Sequence, residues 1–184
     1  MPKLIIGLVG LQGCGKGTAA ELLQKEYGAA YYRFSAILGD ILTRLSLEKT
    51  RDNFAMLSGK LREAFGEDSL SYAVEKQAAT DEHDVVIIDG IRRLEDIVAL
   101  EPLPQFKLVA ITADAKLRFE RMKGRGEKIG ESDMTWEKFL ADENLPTERT
   151  IPEVMERARI TIPNEGTREA FETRVREMMK ELGF

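Results

Sequence analysis

Between positions 8 and 23 the chain reads LVGLQGCGKGTAAELL, which places glycines at 10, 13, 15 and 17 around a single lysine, Lys16. Glycine loses more backbone freedom on folding than any other residue, so this density is costly unless the bare backbone is itself required. Aliphatic residues precede the turn and helix formers follow it, so the local order is strand, tight turn, helix. From Gly10 to Lys16 the spacing is G-x-x-x-x-G-K, with Gly17 and Thr18 next. In that setting successive N–H groups converge on an anion, and the helix N-terminus adds the positive end of its dipole. Lys16 supplies a mobile charge for the β- and γ-phosphates, and the Thr18 hydroxyl falls near a magnesium shell. The turn predicts a loop that holds a nucleoside triphosphate.

The remainder of the chain supports one α/β domain. Apolar runs at 4–9, 85–88 and 108–111 are rich in β-branched residues and lack strict alternation, as strands buried on both faces do. Weaker strands are predicted at 31–34 and 160–162. Helical patterns lie between them, at 18–27, 35–45, 51–65, 69–79, 115–123 and 168–182, with Asp114 and Thr167 as N-caps of the last two. Strands alternating with helices imply a parallel sheet of five strands covered on both sides, a three-layer α/β/α fold. The stretch 124–153 stands apart: it is polar and charged, yet carries Trp136, Phe139 and Leu140 at helical spacing. An insertion of that length with its own apolar stripe is expected to be a lid.

Composition narrows the function classes. The chain has 184 residues and a net charge of −5, which argues against broad nucleic-acid binding. No apolar run approaches the roughly 20 residues of a membrane helix. The first residues read as a strand running into the glycine turn, not as a signal peptide. A lone cysteine, Cys14, excludes an internal disulfide and a cysteine-rich metal site, so a reducing, cytoplasmic setting is expected. Nothing in the composition speaks to oligomeric state.

Several motifs together resemble the adenylate kinase and nucleoside monophosphate kinase family. The loop variant with Gly17 between Lys16 and Thr18 is similar to that family's phosphate loop. VVIIDGIRR (85–93) looks like its second motif, and ERMKGRG (120–126) is similar to the helix end that leads into its lid. GDILTR (39–44) resembles its acceptor-binding stretch, with the arginine displaced by one place. TIPNEGT (161–167) resembles the last strand and the turn bordering adenine. The likeness is greatest to small adenylate-kinase-related proteins of archaea. It implies a P-loop kinase fold with a core of 1–34, 80–123 and 158–184, an acceptor-binding helical region of 35–79, and a lid of 124–153. The implied activity is Mg2+-dependent transfer of the γ-phosphoryl group of ATP to a nucleoside or deoxynucleoside monophosphate. Dephospho-CoA or another small phosphate-bearing acceptor is an alternative, and an ATP-binding regulatory module that is not a kinase is another.

Individual residues follow. Gln12, Gly13, Cys14, Gly15, Lys16, Gly17 and Thr18 form the ATP loop. Asp89 ends a buried strand, where a carboxylate can order a magnesium shell with Thr18 or orient an acceptor phosphate. Arg92 and Arg93 follow at once; transfer between two polyanions requires cations, and guanidinium serves bidentately. The adenylate kinase pattern points to Arg93 for the transferring phosphate and the archaeal likeness to Arg92. Arg121 and Arg125 share a helix face. By resemblance Arg121 stacks on adenine and Arg125 reaches the transferring phosphate, with Arg118 a weaker candidate. Arg62 is the expected grip on the acceptor phosphate, and Asp40 by likeness lies in the acceptor pocket. Tyr31, Tyr32, Phe34 and Phe65 are expected in the core, as are Met178 and Met179. His83 is expected to be exposed. Cys14, beside Lys16 at a helix N-terminus, reads either as a small filler residue or as a thiol whose pKa the dipole and the lysine lower below the ordinary value of about 8.5.

Overall fold

The computed structural model describes residues 1–125 and 134–184; the side chain of Arg125 lies outside the described residues. Five strands form one parallel sheet in the order β2-β3-β1-β4-β5, with β1 Leu4–Val9, β2 Ala30–Arg33, β3 Val85–Asp89, β4 Phe106–Thr112 and β5 Ile160–Pro163. Every residue of β1 and β3 is buried, which is why both read as unbroken apolar runs.

Alternate residues of the strands face two separate cores. Leu4, Ile6, Leu8, Ile87, Val109 and Ile111 pack with α1 (Lys16–Tyr27) and α8 (Arg168–Glu181), where Met178 and Met179 are buried as expected. Ile5, Val9, Val86, Ile88 and Ala110 pack with α2 (Phe34–Arg44), α4 (Ser69–Ala79) and the turns after β3. This is the expected three-layer α/β/α fold on a five-stranded parallel sheet. The sheet order reverses at β1: the chain passes to β3 on one side and β4 on the other, and such folds bind ligands outside the carboxyl ends of the strands at that reversal.

Several helices begin at a side-chain cap. Thr50 accepts from the Asn53 N–H ahead of α3 (Arg51–Phe65), and Thr167 from the Ala170 N–H ahead of α8. Asp114 accepts from the Lys116 N–H at the start of α5 (Ala115–Arg125). Thr135 does the same for α6 (Trp136–Glu143). One aromatic departs from expectation. Phe65 is 74% exposed: it is the last residue of α3, beyond the point where Phe54, Leu57 and Leu61 pack against the second core.

Part of the stretch read as a lid is built into the body. Phe139 of α6 packs with Met122, Met134, Phe119 and Trp136 as a third, small cluster. Beyond it, α7 (Ile151–Glu156), a helix the sequence reading omitted, buries Ile151 and Val154 in the second core. The end of the 124–153 segment is therefore anchored beneath the sheet; residues 126–133 of the proposed lid lie outside the described residues.

Candidate functional site

The glycine turn leaves β1 at its carboxyl end and enters α1, and close approach dictates glycine at positions 10, 13 and 15. A Cβ on Gly10 would meet the Ile111 carbonyl oxygen at 2.4 Å. One on Gly15, at φ +112°, would meet Asn164 Nδ2 at the same distance. Asn164, buried just past β5, donates from Nδ2 to the Cys14 carbonyl at 2.9 Å. The loop is thus pinned from the far edge of the sheet. Lys16 Nζ donates to the Gly10 carbonyl at 2.5 Å and to the Leu11 carbonyl at 3.3 Å, curled over the loop it serves. Cys14 is only 1% exposed and belongs to the first core, as the filler reading expects, so an accessible thiol is excluded: its side chain points inward while its backbone lines the loop.

Arg121 lies on α5, next to Asn164. Its Nη2 donates to Asn164 Oδ1 at 3.2 Å, and its buried Nη1 has no hydrogen-bond partner among the described residues. Asn164 therefore joins Arg121 to the phosphate loop, a link the sequence reading missed although it quoted TIPNEGT. Arg118, the weaker candidate, is more deeply engaged. It is 4% exposed and donates from Nε to the Ala113 carbonyl at 3.0 Å and from Nη1 to the Gln12 carbonyl at 3.3 Å. It also pairs with Glu143 and lies 5.4 Å over the Phe139 ring. A buried guanidinium thereby ties the phosphate loop to α6.

Across the reversal, on the β3 side, Asp89 is buried at its strand end. Its Oδ2 accepts from the Tyr31 hydroxyl at 2.6 Å and from Arg33 Nε at 3.4 Å, and its Oδ1 from the Gly90 N–H at 2.7 Å. Burial, followed by this bond to a carboxylate, pushes the Tyr31 phenol well above its ordinary pKa and keeps it a donor. Tyr31 and Arg33 hold Asp89 through register: Arg33 pairs directly with Asp89 across β2 and β3. Tyr31 was expected only as packing; its bond to Asp89 arises from the pairing of β2 with β3 and left no local signal in the sequence.

Arg92 and Arg93 follow in the turn after β3. Arg92 Nη1 pairs with Glu148 at 2.9 Å, and its carbonyl accepts from the Thr150 hydroxyl at 2.8 Å. Arg93 Nη1 pairs loosely with Glu67 at 3.3 Å. Asp40 stands exposed on α2 with no such partner among the described residues, and Thr18 lies half-buried in the first turn of α1. Arg62 does not occupy the position foreseen for it. It is 6% exposed and its guanidinium is bonded to Asp96 at 2.6 Å and to the Glu67 carbonyl, so it is engaged by protein groups rather than presented to a phosphate.

The chain matches the family described as an AAA domain over residues 6–148. A UPF0200 protein of Hyperthermus butylicus is 28% identical over 180 residues, covering 98% of this chain and 95% of that one. Another, of Methanocaldococcus jannaschii, is 30% identical over 139 residues, 74% of this chain and 69% of the relative. Among solved structures, a Thermus thermophilus protein superposes with TM-score 0.68 at 21% identity over the whole of both chains. The shikimate kinase of Aquifex aeolicus does so with TM-score 0.52 at 20% identity, covering 98% of this chain and all of the other. With the P-loop kinase fold in place, these matches make the chain a member of the AAA domain family and of the UPF0200 proteins.

Proposed function

We propose that the protein is an ATP-dependent phosphotransferase that moves the γ-phosphoryl group to a nucleoside or deoxynucleoside monophosphate. One observation carries this reading: cationic side chains flank the phosphate loop on both sides of the sheet reversal. Arg121 stands on the β4–β5 side, and Arg92 and Arg93 on the β3 side. A protein that only held a triphosphate would need one such side. Cations on the other serve a second, anionic substrate, whose charge must be cancelled before its oxygen can approach the γ-phosphorus.

The parts then have separate tasks. The N–H groups of residues 12–18 and Lys16 hold and orient the ATP phosphates. The buried Nη1 of Arg121 and the plane of its guanidinium, fixed by Asn164, suit a stacked adenine. Arg92 or Arg93 draws in the acceptor phosphate, Asp40 faces the acceptor from α2, and Arg125 reaches the group in transfer. Magnesium fits the donors available. Thr18 and Asp89 carry hard oxygen ligands of the kind magnesium takes beside water and substrate phosphates. Bound there with ATP, it would neutralise charge between the β- and γ-phosphates. Transfer itself requires alignment and electrostatic stabilisation, with no covalent enzyme intermediate.

The test is ADP release, coupled to an optical readout, with every common nucleoside and deoxynucleoside monophosphate, dephospho-CoA and small hydroxy acids as acceptors. Stimulation by one or more monophosphates is the expected result. Stimulation only by dephospho-CoA or a hydroxy acid would move the acceptor class, and ATP turnover that no acceptor accelerates would mark a regulatory module.

A further inference from the structure

Helix α3 contributes one buried residue to the molecule, and that residue is an arginine. Arg62 Nη2 donates to Asp96 Oδ1 at 2.6 Å, Nη1 to the Glu67 carbonyl, and Nε to Ser58 Oγ at 3.4 Å. The second oxygen of Asp96 is committed elsewhere. Oδ2 accepts the backbone N–H of Arg92 at 2.9 Å and that of Arg93 at 3.1 Å. One buried carboxylate therefore grips both amides of the arginine pair with one oxygen and the α3 guanidinium with the other. Charge-assisted bonds of this kind are short, directional and strong where water is excluded.

We propose that Arg62 and Asp96 are positioning residues, a strut that sets the direction in which Arg92 and Arg93 leave the turn after β3. Through it, α3 governs acceptor use without touching the acceptor, an inference that rests on the phosphotransferase reading. The physical reason is the shared carboxylate. Without the guanidinium, Asp96 is a buried anion facing only two amides, and the turn relaxes toward water to satisfy it. Arg92 and Arg93 then keep their charge and lose their aim. A displacement of about 1 Å at a transfer site costs on the order of 100-fold in rate. The donor side has no part in this network, since Arg121 and Lys16 are held by Asn164 and the loop carbonyls.

The experiment compares Arg62→Met, Asp96→Asn and the double variant, with Arg62→Lys as the charge-retaining control should Arg62→Met not fold. Acceptor kcat/KM is measured beside the MgATP dissociation constant from calorimetry. The strut predicts a loss of about 30- to 100-fold in acceptor kcat/KM for each single variant, little further loss in the double, and MgATP affinity within about twofold of the parent. Arg62→Lys, retaining the charge, should recover part of the loss. If Arg62 gripped the phosphate directly, Asp96→Asn would leave acceptor use near the parent and the double would be additive; either result overturns the proposal. So does MgATP affinity falling in step with acceptor use, the mark of a merely structural pair. Should the parent protein phosphorylate no acceptor, the phosphotransferase reading fails on its own. The strut is then judged by amide exchange in Asp96→Asn. Arg92 and Arg93 amides must exchange about tenfold faster while Leu8 and Ile88 keep their rates, and unchanged Arg92 and Arg93 amides overturn it.

Discussion

At Gly15 a single missing carbon decides whether the phosphate loop can close. The position sits at φ +112° with Asn164 Nδ2 only 2.4 Å from where a Cβ would stand, so Gly15→Ala meets both backbone strain and a buried amide that cannot retreat without releasing the Cys14 carbonyl. A loss of about 1–3 kcal/mol is expected in urea unfolding, with weaker MgATP binding by calorimetry. Lys16→Met makes a sharper contrast. It removes a cation from the surface of the loop without touching either core, so the melting temperature should hold while turnover falls by about 100- to 1000-fold. Spacing made Lys16 and the glycines legible in the sequence, because a strand, a tight turn and a helix admit few arrangements. The orientation of Cys14 was not legible. Position next to a helix terminus can be read from spacing, but which side of a loop faces a core depends on what α8 and β5 bring against it. The buried thiol should therefore react slowly with a bulky maleimide in the folded protein and quickly in urea.

Among elements, the ion pairs differ by what surrounds them. Arg118 and Glu143 join α5 to α6 with the guanidinium withdrawn from water, and removing one partner leaves the other charge stranded. Arg118→Ala is expected to cost about 3–5 kcal/mol in urea unfolding. Lys60→Ala, which breaks the exposed Lys60–Glu63 pair on α3, should cost less than about 0.5 kcal/mol. A pH effect belongs to the edge where β2 meets the turn before β3. Burial opposes the charge of Asp81, but hydrogen bonds from the Tyr32 hydroxyl and from His83 outweigh it and lower its pKa. A carboxyl depressed on folding adds stability above its unfolded pKa of about 3.9 and loses it as pH falls through the folded value. The stability difference between the parent and Tyr32→Phe should accordingly shrink in acid unfolding below that range; a constant difference would place the effect in packing. Helices α3, α4 and α8 were legible almost to their ends from periodicity, with the Thr167 cap marking the start of α8. Helix α7 was not: its six residues are held by tertiary burial of Ile151 and Val154, and so short a segment carries no period.

For the molecule as a whole, strand order could be anticipated only as parallel, since apolar runs do not say which strand neighbours which. The order β2-β3-β1-β4-β5 sets the phosphate loop after β1 between the end of β3, which carries Asp89, and β4 and β5, beyond which lies Asn164. It also explains the two roles assigned to arginines: those after β3 stand apart from those after β4, with the phosphate loop between them. Partnerships such as Arg62 with Asp96, 34 residues apart, arise from that topology and leave no local mark in the sequence. The most direct measurement of the central claim follows the fate of the transferred group. ATP labelled with 32P at the γ-position is incubated with Mg2+, the protein and the monophosphate that best stimulates ADP release, and the products are separated. The account predicts the label in a nucleoside diphosphate, with Lys16→Met forming it about 100-fold or more slowly. Label recovered only as inorganic phosphate, at a rate no acceptor alters, would contradict it.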